Sequence, residues 1–215
     1  MEEGLSMLKL FRVHPELAWP MYLHRLETCL NARIHDGYRA LAEIARAPGR
    51  AVAVLTSNVD GLFPRAGFSP VHECHGQIRR LQCSAPCRQE TWAAEPDLIR
   101  RELEGDKFPV CQWCGGTARA NISWGEMTYA AEESDARARQ FAAVVEAMVT
   151  QPTLLIECGV SHESGLRRYA ENLHQSHREV FHLRINNEAE TAEGDRQWIL
   201  RGKAEQTLAT LRDMF

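Results

Sequence analysis

The sequence of 215 residues lacks the features that would place it in a membrane, a secretory pathway or a nucleic-acid complex. No apolar run approaches the roughly 20 residues of a membrane helix, and Met1-Glu2-Glu3 is unlike the start of a signal peptide. The formal net charge is −4, so the composition indicates no basic surface for nucleic acid or membranes. Internal repeats and low-complexity segments are also missing. We therefore expect a cytoplasmic globular protein.

The seven cysteines are poor candidates for disulfide bonds, because their number is odd and no export signal accompanies them. Four of them form two close pairs with the spacing of zinc knuckles: Cys83-x3-Cys87 and Cys111-x2-Cys114. Two such knuckles supply four thiolates to a tetrahedral zinc ion and leave no open coordination position. One structural zinc ion is therefore predicted, and four free buried thiols are the less favoured alternative.

Segments with helical and strand patterns alternate along most of the chain. Helical patterns cover about 1–33, 39–46, 135–149, 166–173 and 203–214, and strand patterns cover 51–55, 71–74, 153–158 and 180–185. This alternation predicts an α/β fold with a doubly wound parallel sheet. Residues from about Ile78 to Trp124 show no sustained helical period, so the cysteine region is predicted to be an inserted module.

Polar residues follow the first two predicted strands. Thr56, Ser57, Asn58 and Asp60 come after one strand, and His75 comes after the next. Ligands bind outside the carboxyl ends of parallel strands, and a histidine can act as a general base near neutral pH. Asn58 and Asp60 could fix a ribose or a water beside it. The alternatives are that Asn-x-Asp-Gly is simply a turn and that His75 is a structural histidine.

The next two predicted strands end in small or hydrogen-bonding residues. Gly159 and Ser161 follow one strand, and Asn186 follows the other. Together with the first two strand ends, they could hold a nucleoside. For Gly159 and Ser161, an ordinary loop with a helix cap is an equally good interpretation.

Taken in order, these motifs resemble the sirtuins, the NAD-dependent protein deacylases, and their bacterial branch in particular. The motifs are Thr56-Ser-Asn-Val-Asp-Gly61, Arg65-Ala-Gly67, Glu73-Cys-His-Gly76, the two knuckles, Trp124-Gly125-Glu126, Gly159-Val-Ser161, Ile185-Asn186 and Gly202-Lys203-Ala204. The resemblance implies a Rossmann-like NAD-binding domain formed by residues 1–76 and 125–215. Residues 77–124 would be the zinc-binding module inserted in it, a zinc ribbon in this family.

The resemblance also implies a role for each motif. His75 would be the catalytic base, with Asn58 and Asp60 positioning the nicotinamide ribose and a water. Thr56, Ser57, Gly159, Ser161, Asn186 and Ala204 would contribute the rest of the NAD site. Trp124, Gly125 and Glu126 would pair with the backbone of an acyl-lysine protein or peptide, and the zinc ligands would be Cys83, Cys87, Cys111 and Cys114.

The family's opening strand and its Gly-Ala-Gly-x-Ser pyrophosphate loop have no counterpart in this sequence. Because that strand is normally central, its loss is expected to leave a gap in the sheet flanked by strand edges. Two interpretations follow, a truncated chain or a divergent relative. The first favours an NAD-dependent lysine deacylase that transfers the acyl group to ADP-ribose and releases nicotinamide. The second favours a catalytically silent scaffold that binds a nucleotide-derived ligand or a protein partner.

Overall fold

The computed structural model describes residues 7–123, 131–188, 192 and 194–213. Its helices are α1 (Met7–Val13), α2 (Pro15–Asn31), α3 (Asp36–Ala45), α4 (Leu62–Arg65), α5 (Pro96–Glu104), α6 (Ala131–Met148), α7 (Gly165–Ser176) and α8 (Ala204–Arg212). Its strands are β1 (Val54–Thr56), β2 (Val71–Glu73), β3 (Gly76–Cys83), β4 (Trp92–Ala93), β5 (Ala118–Ile122), β6 (Thr153–Cys158), β7 (Val180–Asn186) and β8 (Gln197–Arg201). None of the described helices combines the length and the hydrophobicity needed to cross a membrane.

Packing divides the chain into two compact units. The first comprises residues 1–33, 56–62 and 72–138, and the second comprises residues 34–55, 63–71 and 139–215. Helices α1 and α2 therefore group with the cysteine region. The predicted division into a Rossmann-like domain, 1–76 and 125–215, and a zinc module, 77–124, stays a prediction.

Aromatic side chains of α1 and α2 form the core of the first unit. Helix α2 begins at Pro15, a favourable first residue because proline has no backbone N–H that would lack a partner in the first turn. The helix buries Trp19 and Tyr22 on one face. The ring centroids of Phe11 and Trp19 are 5.3 Å apart, and those of Trp19 and Tyr22 are 5.4 Å apart, both edge to face. The Tyr22 hydroxyl donates to the carbonyl of Ile78 at 2.6 Å, which ties α2 to β3.

Strands β3, β4 and β5 form an antiparallel sheet beside this core, with β3 in the middle. Within the predicted insertion, α5 is a helix that the sequence patterns do not identify. It starts at Pro96 and buries Ile99 in the core of the first unit. Its nine residues make only about two and a half turns, which is too short for a sustained helical period.

The second unit contains a parallel sheet in the order β6-β7-β8. Successive residues of a strand point to opposite faces of the sheet. Leu183 and Ile185 of β7 pack with Ala40 of α3 and Leu208 of α8, whereas Arg184 of β7 contacts α7. Helices therefore cover both faces of this sheet, as a doubly wound α/β fold requires.

Strands β1 and β2 form a separate two-stranded sheet. The Val54 N–H donates to Pro70 at 3.0 Å and the Cys74 N–H donates to Thr56 at 2.9 Å, so the paired residue numbers rise together and the strands are parallel. Within the described residues, β1 pairs with no strand of the β6-β7-β8 sheet. The predicted strand 51–55 is therefore displaced to Val54–Thr56. It begins three residues later and includes Thr56, which the sequence pattern placed after the strand, because a strand extends as far as its ladder of hydrogen bonds.

Strand β8 has no counterpart among the predicted strands. Its apolar centre is only Trp198-Ile199-Leu200, and Arg196 and Arg201 flank it. A run of three apolar residues is too short to separate a strand from a loop by pattern alone. Pairing with β7, from His182↔Gln197 to Asn186↔Arg201, makes it a strand.

Candidate active site and metal centre

The four cysteines of the predicted knuckles converge on one point. Their sulfur atoms all lie within 4.8 Å of one another. The Cys83 and Cys114 sulfurs are 3.7 Å apart, and those of Cys87 and Cys111 are 3.6 Å apart. Zinc–sulfur bonds of about 2.3 Å in a tetrahedron place the sulfurs about 3.8 Å apart. The cluster therefore has the size and the ligands for one zinc ion, and the prediction of a metal-binding insertion is confirmed.

Backbone groups shape the second knuckle. The Gly115 N–H donates to the Cys111 carbonyl at 2.9 Å, and the Cys111 N–H donates to Gly116. Gly115 has a φ of 70°, a conformation that favours glycine. Burial acts to raise the pKa of the Cys111 thiol, but hydrogen bonds from the backbone of Cys114 and Trp113 lower the pKa to about 7. The knuckle thus favours the thiolate, which is the form that binds metal.

A hydrogen bond connects the two strand ends that carry the predicted catalytic residues. The Cys74 N–H donates to the Thr56 carbonyl at 2.9 Å, one residue before His75 and two before Asn58. The Thr56 hydroxyl accepts from the Asn58 N–H at 3.1 Å, forming the turn that ends β1. Asn58, Ser57 and His75 are exposed. The structure therefore brings the loop that starts at Ser57 and the turn of His75 together, with their side chains accessible to a ligand.

Asp60 forms a turn, as the Asn-x-Asp-Gly pattern of residues 58–61 suggested. Its Oδ1 accepts from the Leu62 N–H at 2.9 Å, where α4 begins. Gly61 has a φ of 72°, and a Cβ there would lie 3.1 Å from the Nε of Arg79. The turn interpretation is thus confirmed, and contact of Asp60 with a ribose or a water stays a prediction.

His75 lies in the two-residue turn between β2 and β3. Its carbonyl accepts from the Ser123 N–H at 2.8 Å. The next residue, Gly76, has a φ of 85°, and a Cβ there would be 2.2 Å from the Asn121 carbonyl oxygen. Only glycine fits this position. The backbone on both sides of His75 is therefore fixed while its imidazole remains exposed, an arrangement suited to proton transfer with a bound ligand.

Glu73 is a buried acid beside this site that the sequence patterns did not single out as a site residue. It is 1% exposed, and the Gln77 side chain donates to it. Burial raises the pKa of Glu73, against the hydrogen bond from Gln77 and the charges of Arg137 and Arg79. The available signal was an acidic residue within the strand pattern, two positions before His75.

Four of the residues predicted to bind NAD lie at one edge of the second unit's sheet, where β6, β7 and β8 end: Gly159, Ser161, Asn186 and Ala204. Asn186 joins the three ends. Its Nδ2 donates to the Val160 carbonyl at 3.1 Å, and its own carbonyl accepts from the Gly202 N–H at 2.9 Å. Ala204 is the first residue of α8. The fold therefore assembles all four predicted residues.

The loop that contains Gly159 and Ser161 ends in a helix cap, as one of the two interpretations expects, but the cap is a different residue. Gly159 is exposed with a φ of 61°, and a Cβ there would meet no atom within 4 Å. The cap of α7 is Ser164, whose hydroxyl accepts from the Leu166 N–H at 3.2 Å. Ser161 is therefore not the helix cap, and it is exposed beside the open space at Gly159.

Trp124, Gly125 and Glu126, predicted to bind the substrate backbone, lie outside the described residues. Their role stays a prediction.

Comparison with known proteins identifies relatives of one kind. A profile of the Sir2 family matches residues 2–156. An NAD-dependent protein deacylase of Mycobacterium leprae is 40% identical over 120 residues, which is 56% of this chain and 48% of the relative. One from Pyrococcus furiosus is 34% identical over 122 residues, 57% of this chain and 48% of the relative. The chain thus spans about half the length of the curated relatives it matches.

Solved structures resemble nearly the whole chain. A mutant Sir2 homologue in complex with 2'-O-acetyl ADP-ribose matches 99% of this chain and 79% of its own, with a TM-score of 0.70 and 23% identity. A Sir2 homologue in complex with NAD matches 94% of this chain and 72% of its own, with a TM-score of 0.70 and 23% identity. At these identities the likeness establishes the fold.

Proposed function

The chain belongs to the Sir2 family, and from that premise we propose that it acts as an NAD-dependent protein-lysine deacylase. It would transfer the acyl group of an acyl-lysine protein or peptide to ADP-ribose and release nicotinamide. The observation that carries the proposal is the hydrogen bond from Cys74 to Thr56. That bond brings the exposed His75 beside the exposed loop of Asn58. The names of the curated relatives support the same activity.

NAD would supply the ribose that receives the acyl group and the nicotinamide that leaves. His75 takes a proton from a ribose hydroxyl at a ring nitrogen, because an exposed imidazole on a fixed turn can act as a base near neutral pH. Asn58 and Asp60 orient the nicotinamide ribose and a water. Thr56, at the end of β1, and Ser57, at the start of the loop, would complete this part of the NAD site.

The adenosine half of NAD would bind Gly159, Ser161 and Asn186, and Ala204 would contribute to the same NAD site. The exposed Gly159, with open space around it, allows close approach of a ligand to the backbone. Trp124, Gly125 and Glu126 would pair with the substrate backbone as an added strand. The zinc ion is structural in this proposal, since four thiolates occupy its tetrahedron.

The test is incubation with NAD and an acetyl-lysine peptide, with release of nicotinamide as the readout. Removal of a general base lowers rates by about 10²–10⁴-fold, so we expect a loss of at least about a hundredfold in His75→Ala. The matched control is His177→Ala. His177 precedes β7, so it lies at the amino ends of the second unit's parallel strands, away from the carboxyl ends that carry Gly159 and Asn186. No release by the native chain, or an unchanged rate in His75→Ala, would contradict the proposal.

The second candidate is a scaffold that binds ADP-ribose without turnover. It is favoured by the way Asn186 joins the strand ends that carry the predicted NAD-binding residues, an arrangement that does not involve His75. Titration calorimetry with NAD and with ADP-ribose, run beside the nicotinamide assay, separates the two candidates. Binding without release supports the scaffold, and His75-dependent release excludes it.

We also propose a cytoplasmic location and no nucleic-acid partner. Four of the seven cysteines converge as metal ligands, a use of cysteine that is typical of a reducing compartment. The net charge of −4 supports the proposal that no nucleic acid is bound, because nucleic-acid-binding proteins usually carry a basic surface. Fractionation of the native host cell, with the protein detected in each fraction, tests the location.

A further inference from the structure

A buried charge cluster lies between α7 and the β6-β7-β8 sheet, where apolar packing is the usual arrangement. The side chain of Glu157, on β6, is 4% exposed. Its Oε1 lies 2.7 Å from the Nε of Arg167 and 3.1 Å from the Nε of Arg184, and its Oε2 lies 3.2 Å from the Nε2 of His182. Buried ion pairs often add no net stability over apolar packing. Stability alone therefore does not account for Arg167, whose side chain is 1% exposed.

Arg167 also contacts the loop that follows β6. Its Nη2 donates to the Val160 carbonyl oxygen at 2.8 Å. Asn186 Nδ2 donates to the same oxygen at 3.1 Å. A carbonyl oxygen has two lone pairs, so these two donors saturate it. One guanidinium thus connects Glu157 in the sheet to the backbone of Val160.

The orientation of the Val160 carbonyl determines where the next N–H points. The peptide unit is planar and trans, so the Val160 C=O and the Ser161 N–H point in opposite directions. The carbonyl faces Arg167 and Asn186, and the N–H therefore faces away from them. Among the described residues, no backbone carbonyl outside the helices and strands accepts from the Ser161 N–H, and Ser161 is exposed. The loop presents a fixed donor to its surroundings.

We propose that Arg167 is a positioning residue of the nucleotide site. Glu157 holds the guanidinium, the guanidinium holds the Val160 carbonyl, and the Ser161 N–H is thereby aimed at an oxygen acceptor of ADP-ribose. This inference rests on the proposed function, in which the loop from Gly159 to Ser161 binds the adenosine half of NAD.

The test compares the same conservative substitution at the two arginines of the cluster. Arg167→Lys keeps a positive charge beside Glu157, but a single ammonium lacks the forked guanidinium that contacts Glu157 and Val160 at once. Arg184→Lys is the matched control. Arg184 contacts Glu157 and Glu171, whereas the side chains that donate to the Val160 carbonyl are Arg167 and Asn186.

Calorimetry with ADP-ribose and hydrogen exchange of the amides from Gly159 to Ser164 are the readouts. Loss of one charge-assisted hydrogen bond is worth about a tenfold change in affinity. We expect Arg167→Lys to bind ADP-ribose about tenfold more weakly and to exchange faster in this loop. We expect Arg184→Lys to match the native chain in both. Equal effects of the two variants, or no effect of Arg167→Lys, would overturn the proposal.

A second variant covers the case in which Arg167→Lys does not fold. Glu157→Gln keeps the shape of the side chain and removes the charge that holds the guanidinium. Faster loop exchange and weaker binding in a folded Glu157→Gln protein support the proposal, and native values overturn it. If the native chain does not bind ADP-ribose, the proposed nucleotide site is wrong. Loop exchange then still decides whether Arg167 holds the Val160 carbonyl.

Discussion

At the scale of single residues, Glu73 combines a buried carboxyl group with a position two residues before His75. Burial raises its pKa, so the folded protein binds a proton there more tightly than the unfolded chain does. Between the unfolded and the folded pKa the native state carries the greater number of protons. Stability from this group therefore falls as the pH rises through that interval. This loss of stability arises at a residue next to the candidate catalytic turn of His75.

We expect Glu73→Gln to gain stability relative to the native chain as the pH rises from about 4 to 7, because glutamine has no charge to desolvate. Urea unfolding at several pH values measures the difference. Glu16→Gln is a control of opposite sign. The pKa of Glu16 is lowered from 4.5 by hydrogen bonds from its backbone and from His14, so that variant loses relative stability as the pH rises towards 4.5, at the acidic end of the titration. A difference in the free energy of unfolding between Glu73→Gln and the native chain that does not change with pH would contradict a raised pKa of Glu73.

Individual functional residues were predictable where the residues that act together are close neighbours in the sequence. Cys83, Cys87, Cys111 and Cys114 were recognisable by spacing, since a knuckle is formed by neighbours in the chain. Glu157 and Arg167 were not recognisable. A charged residue in a strand usually faces solvent, and only the packing of α7 on the sheet shows that these two are buried together.

At the scale of elements, α3 and α8 approach each other closely at one residue. A Cβ at Gly37 would lie 2.9 Å from the Glu205 Cα and 2.9 Å from the Cε1 of the His35 ring. His35 also caps α3, because its Nδ1 accepts from the Gly37 N–H at 3.1 Å. Added volume at Gly37 would therefore push apart two helices and disturb a cap.

We expect Gly37→Ala to lower the free energy of unfolding by about 1–3 kcal/mol, the usual cost of overpacking. Gly165→Ala is the matched control. It also lies in the first turn of a helix, and a Cβ there would meet no atom within 4 Å. Its free energy of unfolding is expected to stay within about 0.5 kcal/mol of the native value or to rise slightly. Chemical denaturation of both variants measures the contrast, and equal losses would refute a close contact at Gly37.

Helices and strands with a long apolar pattern were predictable from the sequence. Short elements, and strands that depend on pairing with another strand, were not. Helix α2 and strand β7 have sustained apolar periods. Helix α5 is short, and β8 depends on β7 for its ladder. The predicted strand 51–55 is shorter in the fold, because β1 pairs on one side with β2 among the described strands.

At the scale of the whole molecule, the metal cluster belongs to one of the two compact units. Cys83 ends β3, and Cys111 and Cys114 precede β5. Both strands lie in the first unit, whereas β6, β7 and β8 lie in the second. Metal binding is therefore expected to stabilise the first unit directly.

We expect about one zinc ion per chain by elemental analysis. Chelation or Cys111→Ser is expected to speed amide exchange in β3 and β5 well before β6 and β7, because metal binding is coupled to the folding of its ligands. Cys29→Ser is the control, since Cys29 lies on α2 outside the four-cysteine cluster. Uniform exchange changes, or a metal-free chain with native stability, would contradict this assignment.

Strand β3 connects Gly76, next to the candidate base, to Cys83, a metal ligand, and its register against β5 shifts once, between Gln77 and Leu81. Where the pairing is regular, from Leu81 to Cys83, a deletion of one residue would turn the following side chains to the opposite face of the sheet and displace the metal ligand. The exposed turn 105–107 after α5 has no such constraint. Length differences among related chains are therefore expected in that turn and not between Leu81 and Cys83.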